Sequence, residues 1–142
     1  MADIRSVLTK FQTKKKKDGH EVQKSFVGPF KEPSSSEIPD VFFDIVIQKY
    51  RLNRLDIAVL MFLYRQIWCR PNLYKSHGIG PLNSYVEVSA LLGVTHEELG
   101  QHIRALENFG LIETVRAGQY FVRKYFTAEL DTEFGQNYDD FF

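Results

Sequence analysis

The stretch GVTHEELGQHIRALENFGLIE, residues 93–113, contains the start, the buried stripe and the end of one helix. Thr95 and Glu98 form a T-x-x-E capping box, in which the hydroxyl accepts from the backbone N–H three residues on and the carboxylate reaches back. Leu99, Ile103 and Leu106 fall on one side of the helix, which should run to about Phe109, with Gly110 as its C-terminal cap. Just upstream, Ser84 and Glu87 make a second box, S-x-x-E, and LLGV at residues 91–94 lies between the two starts. Gly93 suits the left-handed conformation that ends one helix and lets the next leave at a steep angle. A short helix, a glycine turn and a capped second helix predict a helix-turn-helix. Downstream, LIETVRAGQYFVRKYF reads as two β-prone runs, residues 111–116 and 119–126, joined at Ala117-Gly118 as a hairpin.

Upstream, NRLDIAVLMFLYRQIWCRP at residues 53–71 opens on Asn53 and Asp56 in a capping-box arrangement and stops before Pro71. Ile57, Leu60, Met61, Tyr64, Ile67 and Trp68 form one stripe, and Leu55, Val59, Phe62 and Leu63 widen it, so this helix should be central and buried from several sides. That broad apolar face also suggests a symmetric homodimer. IPDVFFDIVIQKY at residues 38–50 fits a helix capped by Asp40 and lined by Val41, Phe42, Ile45, Val46 and Lys49, or a strand. NLYKSHGIGPLN at residues 72–83 is a loop.

This order of elements over residues 53–126, about half of the chain, resembles the winged-helix superfamily, loosely its MarR-like and plasmid replication-initiator-like branches. Leu99, Ile103, Leu106-Glu107 and Gly110-Leu111-Ile112 hold the places of that family's recognition helix and first wing strand. The resemblance implies that the second helix reads DNA sequence and that the hairpin, or wing, contacts phosphates.

The face opposite the buried stripe carries Glu97, Gln101, Arg104, Ala105 and Asn108. Gln101 and Asn108 have the paired donor and acceptor that read adenine, and Arg104 can read guanine or hold a phosphate. Glu97 and Glu98 favour the positive end of the helix dipole but repel phosphates, so a solvated or protein-contacting helix stays an open alternative. Arg116, Arg123 and Lys124 on the wing can bind phosphate or merely solvate a strand edge. His102, at the margin of the stripe, reads as a packed, hydrogen-bonded histidine.

Net charge is zero but distributed in blocks: +4 over residues 1–36, +1 over 37–126 and −5 over 127–142. The chain therefore reads as a disordered basic segment (1–37), a mainly α winged-helix domain with a small β-hairpin (38–126) and an acidic aromatic tail (127–142). Lys14, Lys15, Lys16 and Lys17 can neutralise phosphates without fixed geometry, or act as a solubilising or nuclear-localising tail. IRSVLTKF, with Ile4, Val7, Leu8 and Phe11 at helical spacing, fits an amphipathic helix formed on a partner. In the tail, Phe134, Tyr138, Asp139, Asp140, Phe141 and Phe142 have the composition of a peptide that docks aromatic anchors in a basic-rimmed pocket, the alternative being a tail packed on its own domain.

One cysteine, Cys69, excludes an internal disulfide and a cysteine-based metal site. The four histidines lack metal-binding spacing. No catalytic motif, cofactor signature, signal peptide or membrane span is expected, which points to a non-enzymatic protein of the cytoplasm or nucleus. The reading that unites these features is a double-stranded DNA-binding protein of transcription or replication whose terminal peptides recruit protein partners. Its competitor is a winged helix used as a protein-interaction module.

Overall fold

The computed structural model describes residues 30–139, and the chain divides into two units, Met1–Ser35 and Ser36–Phe142. In the first unit the described residues, 30–35, have no regular structure. The expected peptide helix at Ile4 to Phe11 and the lysines at 14–17 lie outside the described residues, as do Asp140, Phe141 and Phe142.

The second unit is mainly helical with one small antiparallel sheet. Its first helical segment, α1, is a π-helical stretch Phe42–Val46 that continues as α-helix Ile47–Tyr50. A helix is thus formed where a strand was an alternative, because Phe42 and Val46, four residues apart, share the buried face. Asp40 does not cap it with its side chain; the first turn closes through backbone bonds from Phe42 N to Pro39 O and from Asp44 N to Asp40 O. Ile45, expected on the buried side, is exposed.

Helix α2, Arg54–Tyr64, continues as a π-helical turn, Arg65–Cys69. Its capping box is complete: Asn53 Oδ1 accepts from Asp56 N at 2.8 Å and Asp56 Oδ2 accepts from Asn53 N at 3.2 Å. Val59, Leu60, Leu63, Tyr64 and Ile67 are buried, and Ile57, Met61, Phe62 and Trp68 pack partly buried against the same core. Much of the apolar breadth that suggested a dimer is used inside the domain, while Leu55, Ile57, Met61, Phe62 and Trp68 stay partly exposed.

Helices α3, Tyr85–Leu92, and α4, His96–Asn108, meet at Gly93, whose φ of 67° and ψ of 34° lie in the left-handed region. Thr95 Oγ1 accepts from Glu98 N at 3.1 Å and Glu98 Oε1 from Thr95 N at 3.4 Å, completing the second box. Ser84 occupies the N-cap of α3 but makes no side-chain cap, so only one of the two hydroxyl boxes forms. Leu99, Ile103 and Leu106 are buried as their spacing requires.

Strands β1, Glu113–Arg116, and β2, Gln119–Phe121, pair antiparallel with a register shift at Val115. Gly118 at the tip has a φ of +85°, and a Cβ there would stand 2.3 Å from Asn83 O. Only glycine allows this approach, which lets Asn83 N donate to Gly118 O at 2.7 Å and ties the hairpin tip to the entrance of α3. On the other side of β2, Ile79 forms an isolated antiparallel bridge with Phe121.

The second strand ends at Phe121 rather than at residue 126, because side chains take the backbone groups that a ladder would have used. Trp68 Nε1 donates to Val122 O at 3.0 Å and Tyr64 OH to Lys124 O at 2.9 Å. Tyr138 OH accepts from Lys124 N at 2.8 Å, and Asp131 Oδ1 accepts from Tyr125 N at 3.1 Å. Phe126 then turns inward with φ 75°, fully buried, stacking on Tyr64 with centroids 4.8 Å apart.

The last described helix, α5, Ala128–Glu133, is capped by Thr127, whose hydroxyl accepts from Leu130 N at 3.1 Å. His102 on α4 is hydrogen-bonded as expected, and its partner is Asp56 of α2, Nδ1 to Oδ1 at 2.7 Å. Asp56 thus caps α2 and also fixes the crossing of α2 with α4.

Two stability outcomes follow from these buried polar groups. His102→Leu should cost about 2–3 kcal/mol in chemical denaturation, since it strands a carboxylate in the interior. Ser89 Oγ on α3 is buried with no hydrogen-bond partner, so Ser89→Ala should instead raise stability by about 1 kcal/mol.

Candidate nucleic-acid interface

The outward side of α4 presents Gln101, Arg104 and Asn108, all exposed. None of the three makes a side-chain hydrogen bond or ion pair within the described residues, so their polar atoms face solvent. They stand outward because Leu99, Ile103 and Leu106 anchor the opposite side of a helix that advances about 100° per residue. Arg104 lies back along the helix, with its guanidinium over Gly100. Glu97 and Glu98 sit in the first turn, where Glu98 serves the capping box and Glu97 is exposed.

The three wing cations do not share one environment. Arg116 is exposed at the hairpin turn, and its Nε donates to Gln119 Oε1 at 3.0 Å. Gln119 is itself buried and donates through Nε2 to Gly80 O at 3.0 Å, so the base of the Arg116 side chain is held by a fixed support. The Nη groups remain free for a ligand.

Arg123 is different. Its Nη1 lies 3.2 Å from Oδ2 of Asp131, a carboxylate only 4% exposed. Its guanidinium stands over the rings of Phe121 at 5.4 Å and Tyr138 at 5.9 Å. Removing it from this pair would leave a buried charge uncompensated, so Arg123 has a structural role, its guanidinium already engaged where a phosphate contact was expected. Lys124 has no acidic partner, but its ammonium stands 6.0 Å from the Trp68 ring and 5.8 Å from the Tyr125 ring.

The partner of Arg123 comes from the segment expected to be a free peptide. Asp131 accepts from Arg123, from Tyr125 N and, at 2.6 Å, from Tyr138 OH. Burial, first, and then the bond to Asp131 raise the pKa of the Tyr138 phenol above its ordinary value. Its ring meets Phe121 edge-on at 5.2 Å and Trp68 at 6.1 Å. Asp139 N donates to Ser76 O, and Asp139 O lies 2.9 Å from His77 Nδ1. Tyr138 and Asp139 are therefore engaged with their own domain, which is the packed-tail alternative of the sequence reading. Phe134 keeps about half of its surface exposed while its ring contacts Tyr125 at 4.9 Å.

Asp131 carried no motif in the sequence. Its only signal was Thr127 four residues before it, which fits a capped helix start within a region that composition marked as tail. Trp68 and Tyr64 were legible as core but not as donors to distant carbonyls.

Over Ser36 to Asp139, ten Lys/Arg face thirteen Asp/Glu, a net charge of −3. Among the described residues no helix is long and apolar enough to cross a membrane, and no three His, Cys, Asp or Glu side chains form a group that could hold a metal ion. Compared with protein-family models, curated proteins and solved structures, the chain finds no significant match.

Deleting residues 132–142 should lower the melting temperature by several degrees in a thermal unfolding experiment, since it removes Tyr138 and one of the hydrogen bonds to buried Asp131. An unchanged melting temperature would mean that these contacts contribute nothing to folding.

Proposed function

We propose that this chain is a winged-helix protein that binds double-stranded DNA through α4, in transcription or in replication and maintenance of a DNA element. The observation that carries the reading is the outward row of Gln101, Arg104 and Asn108 on a capped helix, joined to its predecessor at left-handed Gly93 and followed by a hairpin with Arg116 exposed at its turn. An α-helix of this length enters the major groove, where amide side chains pair with adenine and a guanidinium with guanine. Arg116 supplies a supported phosphate contact, and Lys124 a weaker one.

The acidic folded unit makes the basic head necessary to this reading. Non-specific affinity grows with the number of phosphates neutralised, and a domain of net charge −3 offers few. Lys14, Lys15, Lys16 and Lys17 add four charges, with no sequence preference of their own.

A second reading, a winged helix used as a protein-interaction module, is favoured by the same negative charge and by an apolar surface around α3. Leu82, Val86 and Leu91 are 58%, 63% and 71% exposed there.

Fluorescence polarisation with a random duplex over a salt series separates the two. Under the DNA reading, binding weakens steeply with salt. Replacing the four lysines by alanine lowers the slope of log K against log[salt] by about 3–4. Arg104→Ala with Arg116→Ala then weakens binding by about 2–4 kcal/mol. Absence of binding at low salt would overturn DNA recognition in favour of the interaction module.

A further inference from the structure

We propose that the cavity between the C-terminal end of α4, the root of β1 and the start of α5 is a docking site for an arginine side chain carried on an extended basic peptide of a partner protein. The site does not rest on DNA recognition, since it uses none of Gln101, Arg104, Asn108 or Arg116.

The cavity is a depression open to solvent, with a volume of about 320 Å³. Tyr50, Phe109 and Phe121 line it with aromatic surface, and Glu107, Glu113 and Glu129 line it with carboxylates. Tyr50 and Phe109 pack ring against ring with centroids 5.7 Å apart and a tilt of 50°. Aromatic faces beside carboxylates bind organic cations: the ring quadrupole attracts the charge, and the carboxylates accept the hydrogen bonds of a guanidinium.

Among the described residues, none of the three glutamates forms an ion pair. Arg123 also lines the cavity, with its guanidinium bound to Asp131 and standing over the Phe121 ring, so Phe109 is the aromatic face left to a ligand. Lys49 reaches the ring of Tyr50 at 5.4 Å without pairing to any of the three glutamates. Glu107 is fixed at the rim by accepting the Thr114 hydroxyl. Glu113 and Glu129 are exposed and make no side-chain hydrogen bond or ion pair within the described residues. The three carboxylates do not form a group that could hold a metal ion, so the ligand they suit is an extended cation and not a bare ion.

The strand edge argues for a peptide rather than a free small molecule. β1 pairs with β2 on one side only, and all four of its residues are exposed. Its outer edge offers unpaired backbone groups next to Glu113, so an extended peptide can add main-chain hydrogen bonds along β1 while an arginine enters the cavity.

The test is an NMR titration of the full chain with the peptide acetyl-Gly-Arg-Gly-Arg-Gly-amide, following the amides of Phe109, Glu113 and Glu129. These amides should shift saturably, and Glu113→Gln with Glu129→Gln should weaken binding about tenfold at an unchanged melting temperature. Phe109→Leu, which keeps apolar volume but removes the π-face, should weaken it severalfold. The proposal is overturned if a citrulline version of the peptide binds equally, or if the double glutamine variant binds as tightly as the parent. It is also overturned if arginine amide alone binds as tightly as the peptide, or if no shifts occur at low salt.

Discussion

Tyr64 and Trp68, on successive turns of α2, donate their O–H and N–H to the carbonyls of Lys124 and Val122, and much of the molecule follows from those two bonds. They hold the chain leaving β2 against the central helix, so the strand stops at Phe121 and Phe126 is turned into the core beside Tyr64 and Phe42. The positive φ of Phe126 is a strained conformation for a bulky residue, and it persists because a fully buried ring packed against two others over-determines it. From that turn the chain runs directly into α5, which brings Asp131 beneath Arg123 and Tyr138 over the wing.

The same arrangement sorts the cations. A guanidinium paired with a buried carboxylate is part of the fold, because separating the two costs the desolvation of both charges. One held only by its Nε, as in Arg116, still offers its fork to an anion. The hairpin and the segment after it therefore present fewer uncommitted cations than their composition suggests, and the acidic α5 segment adds negative charge to the unit. Under the proposed DNA reading, affinity for a polyanion draws largely on the basic residues of the first unit, and geometric selectivity on the uncommitted side chains of α4. At the root of the hairpin, Glu107, Glu113 and Glu129 line one cavity, the site proposed above for a cationic side chain.

Much of the domain was legible because its signals are local. Asn53 with Asp56 and Thr95 with Glu98 cap their helices through bonds three residues apart, and Gly93 bends the chain by its own backbone freedom, so each could be read without knowing what lies nearby. The stripe of Leu99, Ile103 and Leu106 likewise fixed which side of α4 faces outward. Ser84 shows the limit of such reading: residue type and spacing permit the box, yet the hydroxyl does not make the bond.

What the amino-acid order determined by itself is the three helices α2, α3 and α4, the glycine bend, the hairpin turn and the residues of α4 that face solvent. All of these depend on dihedral preferences and periodicity within a few residues. Tertiary structure alone decided that Asp56 holds His102, that Arg123 belongs to Asp131, that the expected tail is a fixed part of the domain as far as Asp139, and that three glutamates and three aromatic rings surround one cavity. Those pairings join residues from 8 to about 80 positions apart, and the energy of a buried charge or ring depends on what burial brings beside it. Periodicity carries no information about that.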